Sequence, residues 1–522
     1  MRQLTALDAQ FLNVETATTA AHVAGLAVLD PADGAVNRDA LAALLLDRLH
    51  LSPALSLRLA EVPLGLDHPY WAPDPGFDLR NHLFELTLPT PGDDWQLAEA
   101  VAEIHARRLD RAHPLWEMHL IQGLQEGKMA IYTKVHHAAI DGISGAETLA
   151  TLLDLTPDGH QTRRSTRAQP HEPTPAASPP PDAGARAGGH DPGVAVPEPE
   201  GEVPGVAGML AGAAVRAATH PLLTARSVVR TVEDLDAIPL AARLPGARAI
   251  ARAARKVVRG RPDRPELPRL AAPRTPFNGP ISAQRHLAFG SLPLKDVKQV
   301  AKANGVSVND VVMTLCTSAL RAWLEERDAL PEEPLLVAVP VAVRTAKAKD
   351  SVGNQISAMV APMPTNVPDP RERLEAVGAT MARAKRRFAL APATWLSELC
   401  SVLPAPVTSL AMPAIFRLAG LAFPPINLII SNVPGPQFPL YLCGGRVLSY
   451  YPLSVLTDVS GGLNITCFSY DGMLDFGIVA CPQLVDDVWC LLRHLRAALE
   501  ELSDERVGDE FRDGVGIDLV AG

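Results

Sequence analysis

No stretch of about 20 residues in this chain is apolar and unbroken; Arg216 interrupts one candidate, and Arg417 with several prolines interrupts another. A membrane-spanning helix is therefore not expected. The amino terminus, MRQLTALDAQFLNVET, lacks the apolar centre of a signal peptide. Cysteine is scarce, with only Cys316, Cys400, Cys443, Cys467, Cys481 and Cys490, none in a C-x-x-C spacing and five within apolar runs. Buried, reduced thiols are expected, which fits a reducing cytoplasm. There is no surplus of positive charge, since the formal net charge is -10, and sequence-wide attraction to nucleic acid is excluded. Nor is there a G-x-S-x-G elbow, and nothing marks a serine or cysteine as a nucleophile.

What is present is apolar material for more than one core. At 522 residues and 47% hydrophobic content, two domains are the default expectation, because single cores stop growing at about 250–300 residues. Residues 1–155 alternate strand-like runs (His22 to Leu29) with helical runs (Arg38 to Leu46, Trp95 to Leu109), which argues for an α/β or α+β domain. Proline, glycine, alanine and acidic residues dominate 156–205, where too little apolar surface exists to offset ordering entropy, so a disordered linker is expected. Residues 206–275 change sign: 13 Lys and Arg stand against 5 Asp and Glu. Within this segment Arg248, Arg252, Arg255, Lys256 and Arg259 share one helical face. Such a helix can lie on an anionic membrane surface or simply be solvated.

A second domain is expected over 276–522. Leu294 to Ala303 reads as a helix closed by Gly305, and Ser307 opens another with Asp310 at capping-box spacing. Ile426 to Ile430 reads as a buried strand broken by the turn residues Ser431 to Pro436. Leu463 to Tyr470 and Met473 to Ala480 flank Asp471-Gly472, a strong hairpin signal. Val485 to Leu502 reads as a closing amphipathic helix.

The chemistry concentrates in Met129 to Gly145, MAIYTKVHHAAIDGISG. A run of β-formers ends in His136 and His137, followed by Asp141 and Gly142, giving His-His-x-x-x-Asp-Gly. Alternation along a strand places Ile131, Thr133, Val135 and His137 on one side and Tyr132, Lys134 and His136 on the other. Imidazole titrates near neutrality, so a histidine at a strand end can take a proton from a hydroxyl. Without a protein nucleophile, direct attack of the activated acceptor on a bound acyl donor is favoured, and a thioester suits such a transfer. Asp141 is expected to brace the loop, and Gly142 to allow a close backbone approach. Adjacent strand histidines point apart and no third ligand has standard spacing, so no metal is expected.

At these residues the sequence resembles the bacterial wax ester synthase and diacylglycerol O-acyltransferase family. That family lies within the CoA-dependent acyltransferases that include chloramphenicol acetyltransferase and peptide-synthetase condensation domains. Narrower matches are LDAQFLNVE at Leu7 to Glu15, Pro114-Leu115-Trp116, Asn309-Asp310-Val311-Val312, and Ser431 to Pro436. The resemblance implies an α/β fold of mixed sheets, as two chloramphenicol acetyltransferase-like domains with a tunnel between them. It implies His137 as general base, His136 as structural support, and Asn309 as a donor to the thioester oxyanion. Glu15, Trp116, Asp310, Ser431 and Asn432 become candidates for substrate contact, with Arg344 the candidate partner of Asp141. The Pro-rich insertion and Met313-Thr314 depart from the family pattern.

The implied function is acyl transfer from acyl-CoA to diacylglycerol or a fatty alcohol, with no cofactor. The implied setting is cytoplasmic, peripherally attached to membrane or lipid droplets through the basic segment. The alternatives are a condensation-type or small-molecule acyltransferase, and a non-catalytic lipid-droplet surface protein.

Overall fold

The structure, a computed structural model, describes residues 2–31, 36–140, 151–158, 205–218, 272–342, 356–390 and 425–513, together with 250, 253, 405–409, 412 and 414. Asp141, Gly142, Arg344, Cys400, the 159–204 linker and nearly all of the basic helix at 248–259 lie outside the described residues.

Along the first half run β1 (Arg2–Gln3), α1 (Ala6–Asn13), β2 (His22–Asp30), α2 (Arg38–Arg48), β3 (Leu57–Ala60), β4 (Tyr70–Pro73) and β5 (Leu83–Thr87). Then follow α3 (Asp94–Ala106), β6 (Trp116–Gln122) and β7 (Met129–His136). The second half contributes β8 (His286–Pro293), α4 (Leu294–Ala303), α5 (Val308–Glu325), β9 (Leu335–Ala342), β10 (Ile356–Met363) and α6 (Pro370–Leu390). It ends with β11 (Leu428–Pro434), β12 (Tyr441–Leu442), β13 (Gly445–Leu453), β14 (Leu463–Tyr470), β15 (Met473–Ala480) and α7 (Val488–Asp513).

The strands form two six-stranded sheets, ordered β12-β13-β2-β7-β6-β5 and β10-β9-β11-β14-β15-β8, beside a small β1-β4-β3 sheet. Both large sheets are mixed: β5 runs parallel to β6, and β11 runs parallel to β9 and β14, while their other pairings are antiparallel. The chain halves do not segregate by sheet, because β12 and β13 from the second half complete the first sheet against β2.

Several local expectations hold at the level of single bonds. Ser307 Oγ accepts from the Asp310 amide at 3.2 Å while Asp310 Oδ2 accepts from the Ser307 amide at 3.1 Å, a reciprocal cap on α5. Gly305 takes φ +64° and the Val306 amide donates to Ala301 O at 3.0 Å, closing α4. The hairpin pairs Tyr470 with Met473 across Asp471 and Gly472, both at positive φ.

Two readings need correcting. The run at 426 is not broken by Ser431: β11 extends through Pro434, with Ser431 beside Thr466 and Asn432 beside Cys467. Among the described residues, only β14 flanks this strand beyond Ile429, so Pro434 costs no ladder bond on the other side there. The last helix begins at Val488 rather than Val485, because Asp487 accepts the Cys490 amide at 3.0 Å and caps it there. The described cysteines, five of the six, are free and buried.

A helix at 206–218 docks on the small sheet, burying Met209 and Ala213 against Val62. Arg216 of this helix pairs with Asp67 and donates to Tyr70 Oη. The start of the basic segment is thus fastened to the first half. No helix among the described residues is long and apolar enough to cross a membrane.

Candidate active site

β7 delivers its two histidines to different surroundings. His136 is the last strand residue, opposite His22, and is 1% exposed. The chain then turns: the His137 amide donates to Ala21 O at 2.8 Å and the Ala139 amide to His136 O at 2.9 Å. The His137 ring lies flat on Phe11 of α1, centroids 3.9 Å apart and planes 4° from parallel, and is partly exposed. Strand alternation predicts that the two rings part, and they do.

His136 is the brace. The Ala138 amide donates to its Nδ1 at 3.0 Å, so the neutral ring carries its proton on Nε2. Nε2 faces Glu15 Oε1 at 3.6 Å. Glu15 in turn accepts from Arg111 at 2.9 Å and 3.2 Å and from the Ala21 amide at 3.3 Å. Burial alone would push the Glu15 carboxyl up; His136 and Arg111 outweigh it and hold the pKa at about 2. Burial lowers the His136 pKa, with Glu15 opposing, and the occupied Nδ1 favours the neutral ring. The anion at Glu15 therefore rests on Arg111, and fixes both His136 and the Ala21 backbone that holds His137.

The same face of the first sheet carries further buried polar groups. Lys134 donates to Ile104 O at 3.1 Å and Arg107 O at 2.9 Å, closing the carbonyl end of α3, and pairs with Glu117 at 3.1 Å. His105 Nε2 lies 3.3 Å from Ser454 O, which must accept, so His105 Nδ1 accepts from Tyr132 Oη at 2.8 Å. Burial takes the His105 pKa down to about 3, keeping it neutral. These bonds lock β7 to the helix above it.

The opposite face is mainly apolar and carries a half-open cavity of ≈ 100 Å³, lined by Gly25, Thr133, Val135, Ile140, Leu442 and Tyr450 among others. Val135 and Ile140 bracket the two histidines in sequence. Beyond Ile140 the chain is next described at Thr151, where buried Arg48 donates to Thr151 O and Leu152 O and pairs with both oxygens of Asp154 at 2.8 Å and 3.0 Å. Asp154 is also bridged to Tyr441 through backbone bonds of 2.8 Å and 2.9 Å.

Among the predicted site residues, Glu15 meets His136, and Asn309 meets Asn432, whose Nδ2 donates to Asn309 Oδ1 at 3.2 Å. That second contact joins α5 to β11 and leaves the Asn309 amide hydrogens for another acceptor. Ser431 is half-buried beside Asn432. Asp310 spends Oδ2 on the α5 cap. Trp116 is 1% exposed, stacks on His82 at 4.5 Å and donates its indole hydrogen to Leu55 O at 2.9 Å; it packs the sheet rather than facing substrate.

The sequence reading did not single out Phe11 or Arg111. Phe11 lay inside the quoted amino-terminal match, but ring stacking leaves no pattern in sequence. Arg111 pairs with a residue 96 positions away, beyond any local spacing rule. Lys134 did carry a signal: a lysine inside an apolar strand has to find a partner when the strand is buried.

The site thus combines two mixed sheets that share strands across the chain with a strand-end histidine turned out beside its buried twin. The family model for the wax ester synthase/diacylglycerol acyltransferase catalytic domain matches residues 4–312, and the WS/DGAT C-terminal domain matches 352–503. Among named relatives, "Probable diacyglycerol O-acyltransferase tgs2" of Mycobacterium tuberculosis is 32% identical over 504 residues, covering 96% of this chain and 98% of its own. Another from that organism, with a name of the same kind, is 34% identical over 520 residues, covering 98% and 93%. Among solved structures, the wax ester synthase/diacylglycerol acyltransferase of Marinobacter aquaeolei VT8 superposes with TM-score 0.63 at 27% identity, covering 97% of this chain and 99% of that one. The first condensation domain of the calcium-dependent antibiotic synthetase matches at TM-score 0.51 and 16% identity over 96% and 97%, a likeness of fold alone. The chain belongs to the wax ester synthase/diacylglycerol acyltransferase family and is an O-acyltransferase.

Proposed function

We propose that the protein moves a long-chain acyl group from acyl-CoA onto the hydroxyl of diacylglycerol or a fatty alcohol, making triacylglycerol or wax ester for storage. The observation that carries this is the partly exposed His137 ring, seated on Phe11 at the end of β7 beside the buried Glu15–His136 brace. The His137 imidazole takes the proton of the acceptor hydroxyl. The freed oxygen attacks the thioester carbon, and the carbonyl electrons move onto oxygen. Collapse of that tetrahedral oxyanion breaks the carbon–sulfur bond, and the departing CoA thiolate takes the proton back from His137. Base catalysis of this kind contributes roughly 10²–10⁴-fold.

The oxyanion needs donors aimed at it. Asn309, with its carbonyl oxygen occupied by Asn432, has its amide hydrogens available for that task. The chemistry requires no resident cofactor. The lipid character of both substrates makes attachment to a membrane or droplet surface part of the same reading, with the basic segment as the contact; flotation with anionic vesicles, with and without residues 206–274, tests it.

The deciding experiment incubates purified protein with palmitoyl-CoA and, separately, hexadecanol or dipalmitoylglycerol, and identifies the products. Ester formation that disappears in His137→Ala supports the reading. Near-native turnover in that variant eliminates His137 as the base.

A further inference from the structure

We propose that the apolar cavity on the far face of β7 receives the methyl end of a linear alkyl chain, and that Tyr450 standing over Gly25 sets how long that chain can be. The inference rests on the acyl-transfer reading above and adds a specificity determinant to it.

Pairing register puts the lining on one face of the sheet. Val23, Gly25 and Ala27 of β2 oppose Val135, Thr133 and Ile131 of β7, Met118 of β6 opposes Thr133, and Tyr450 of β13 opposes Ala27. All of these line the cavity, as do Val135 and Ile140, which flank His136 and His137 in sequence. Most of the lining residues are apolar, with Thr133 and Tyr450 carrying its hydroxyls, so an alkyl end finds mainly hydrocarbon contacts there. An engineered apolar cavity of about 150 Å³ stays dry and binds benzene; by that measure ≈ 100 Å³ holds roughly four carbons. That is the tip of a chain rather than the whole of one.

One wall is tightly fitted. A Cβ at Gly25 would come within 1.9 Å of Tyr450 Oη, so only glycine lets the tyrosine lie across the strand. Tyr450 is itself held: its amide donates to Asp475 Oδ2 at 2.8 Å, and its ring meets Phe468 edge-on at 5.2 Å. A clamped aromatic end-stop gauges length, because one methylene too many has nowhere to go. Pocket contacts of this kind discriminate by roughly 10–200-fold per methylene.

The test measures kcat/KM for two series, acyl-CoA donors of increasing length with one acceptor and linear alcohols of increasing length with one donor. Tyr450→Ala and the milder Tyr450→Phe should move the preference towards longer chains in one series, while Gly25→Ala, which takes space from the cavity, should move it towards shorter ones. The series that shifts identifies which substrate's chain the pocket holds; a shift of about ten-fold in the ratio of two lengths is expected for Tyr450→Ala. Because ratios within one preparation cancel the amount of folded protein, partial misfolding does not mimic the effect. Unchanged ratios in both series for all three variants would overturn the proposal. Calorimetric binding of octanoyl-CoA against palmitoyl-CoA to the same proteins needs no turnover, so a missing activity and a wrong pocket give different results.

Discussion

The two six-stranded sheets are built alike, mixed in direction and faced by helices, yet their interiors differ in kind. Around the second sheet, α5 buries Val311, Val312, Leu315, Leu320 and Leu324 in a large apolar cluster, and the buried polar groups beside it, such as Thr314, Asn427 and Asp475, are mostly uncharged. The first sheet seals Arg48, Lys134, His22, His105 and His136 to less than 3% exposure. Burying charge costs several kcal/mol per ion unless it is paired, and here Asp154 meets Arg48 and Glu117 meets Lys134. Buried cations and imidazoles are concentrated around the first sheet, and there partners weigh more against volume than they do around the second. The candidate base belongs to the first sheet, where Phe11 seats the His137 ring and the Ala21 carbonyl, fixed through Glu15, holds its backbone.

The sharpest way to separate the two is to damage each at its centre. His137→Ala should cut turnover by roughly 10²–10⁴-fold while leaving the urea midpoint unchanged, whereas Leu320→Ala should cost about 2–5 kcal/mol of stability without altering kcat per folded molecule. Equal losses of stability in both would erase the distinction. Next in size, Arg48→Ala strands Asp154 in the interior and should cost about 3–5 kcal/mol, measured by chemical denaturation.

Glu15→Gln probes the brace itself. The folded pKa of Glu15, about 2, lies below its ordinary value of 4.5, so its contribution is present above about pH 4.5 and is lost as pH falls towards 2. Wild type should be the more stable at pH 7, the gap closing as the solution is acidified. A gap independent of pH would show that the charge is not what holds His136. The smallest effect is expected at Asp475, the carboxyl that joins Ser291 at 2.6 Å to the Tyr450 amide. Burial raises its pKa to about 6, so its ionised form works against folding and stability falls as pH rises through 6. Asp475→Asn should gain at most about 2–3 kcal/mol at pH 8 relative to wild type and nothing at pH 4.

How much of this was readable beforehand follows the same division. Elements whose cause is local were legible: the Ser307–Asp310 cap, the Gly305 stop, the Asp471-Gly472 turn and the β7 run all depend on residues within a few positions. Side-chain periodicity also foretold that His136 and His137 would separate. The Glu15–Arg111 pair, the Arg48–Asp154 pair and the Asn309–Asn432 contact span from 96 to 123 positions. Nothing local encodes them. Ser431 to Pro436 misled because Pro-Gly content reads as a turn, while a strand with one open flank tolerates proline at its end.

The exchange of β13 into the first sheet bears on how the protein is made. The catalytic family match ends at residue 312, but β2, the neighbour of the reactive strand, has an open flank until residues 445–453 arrive to cover it. At roughly 5–20 residues per second on the ribosome, that interval lasts on the order of tens of seconds. Throughout it the nascent chain carries an exposed ladder edge able to join another polypeptide. The sheet that carries the reactive strand is thus completed by residues from beyond the catalytic family match.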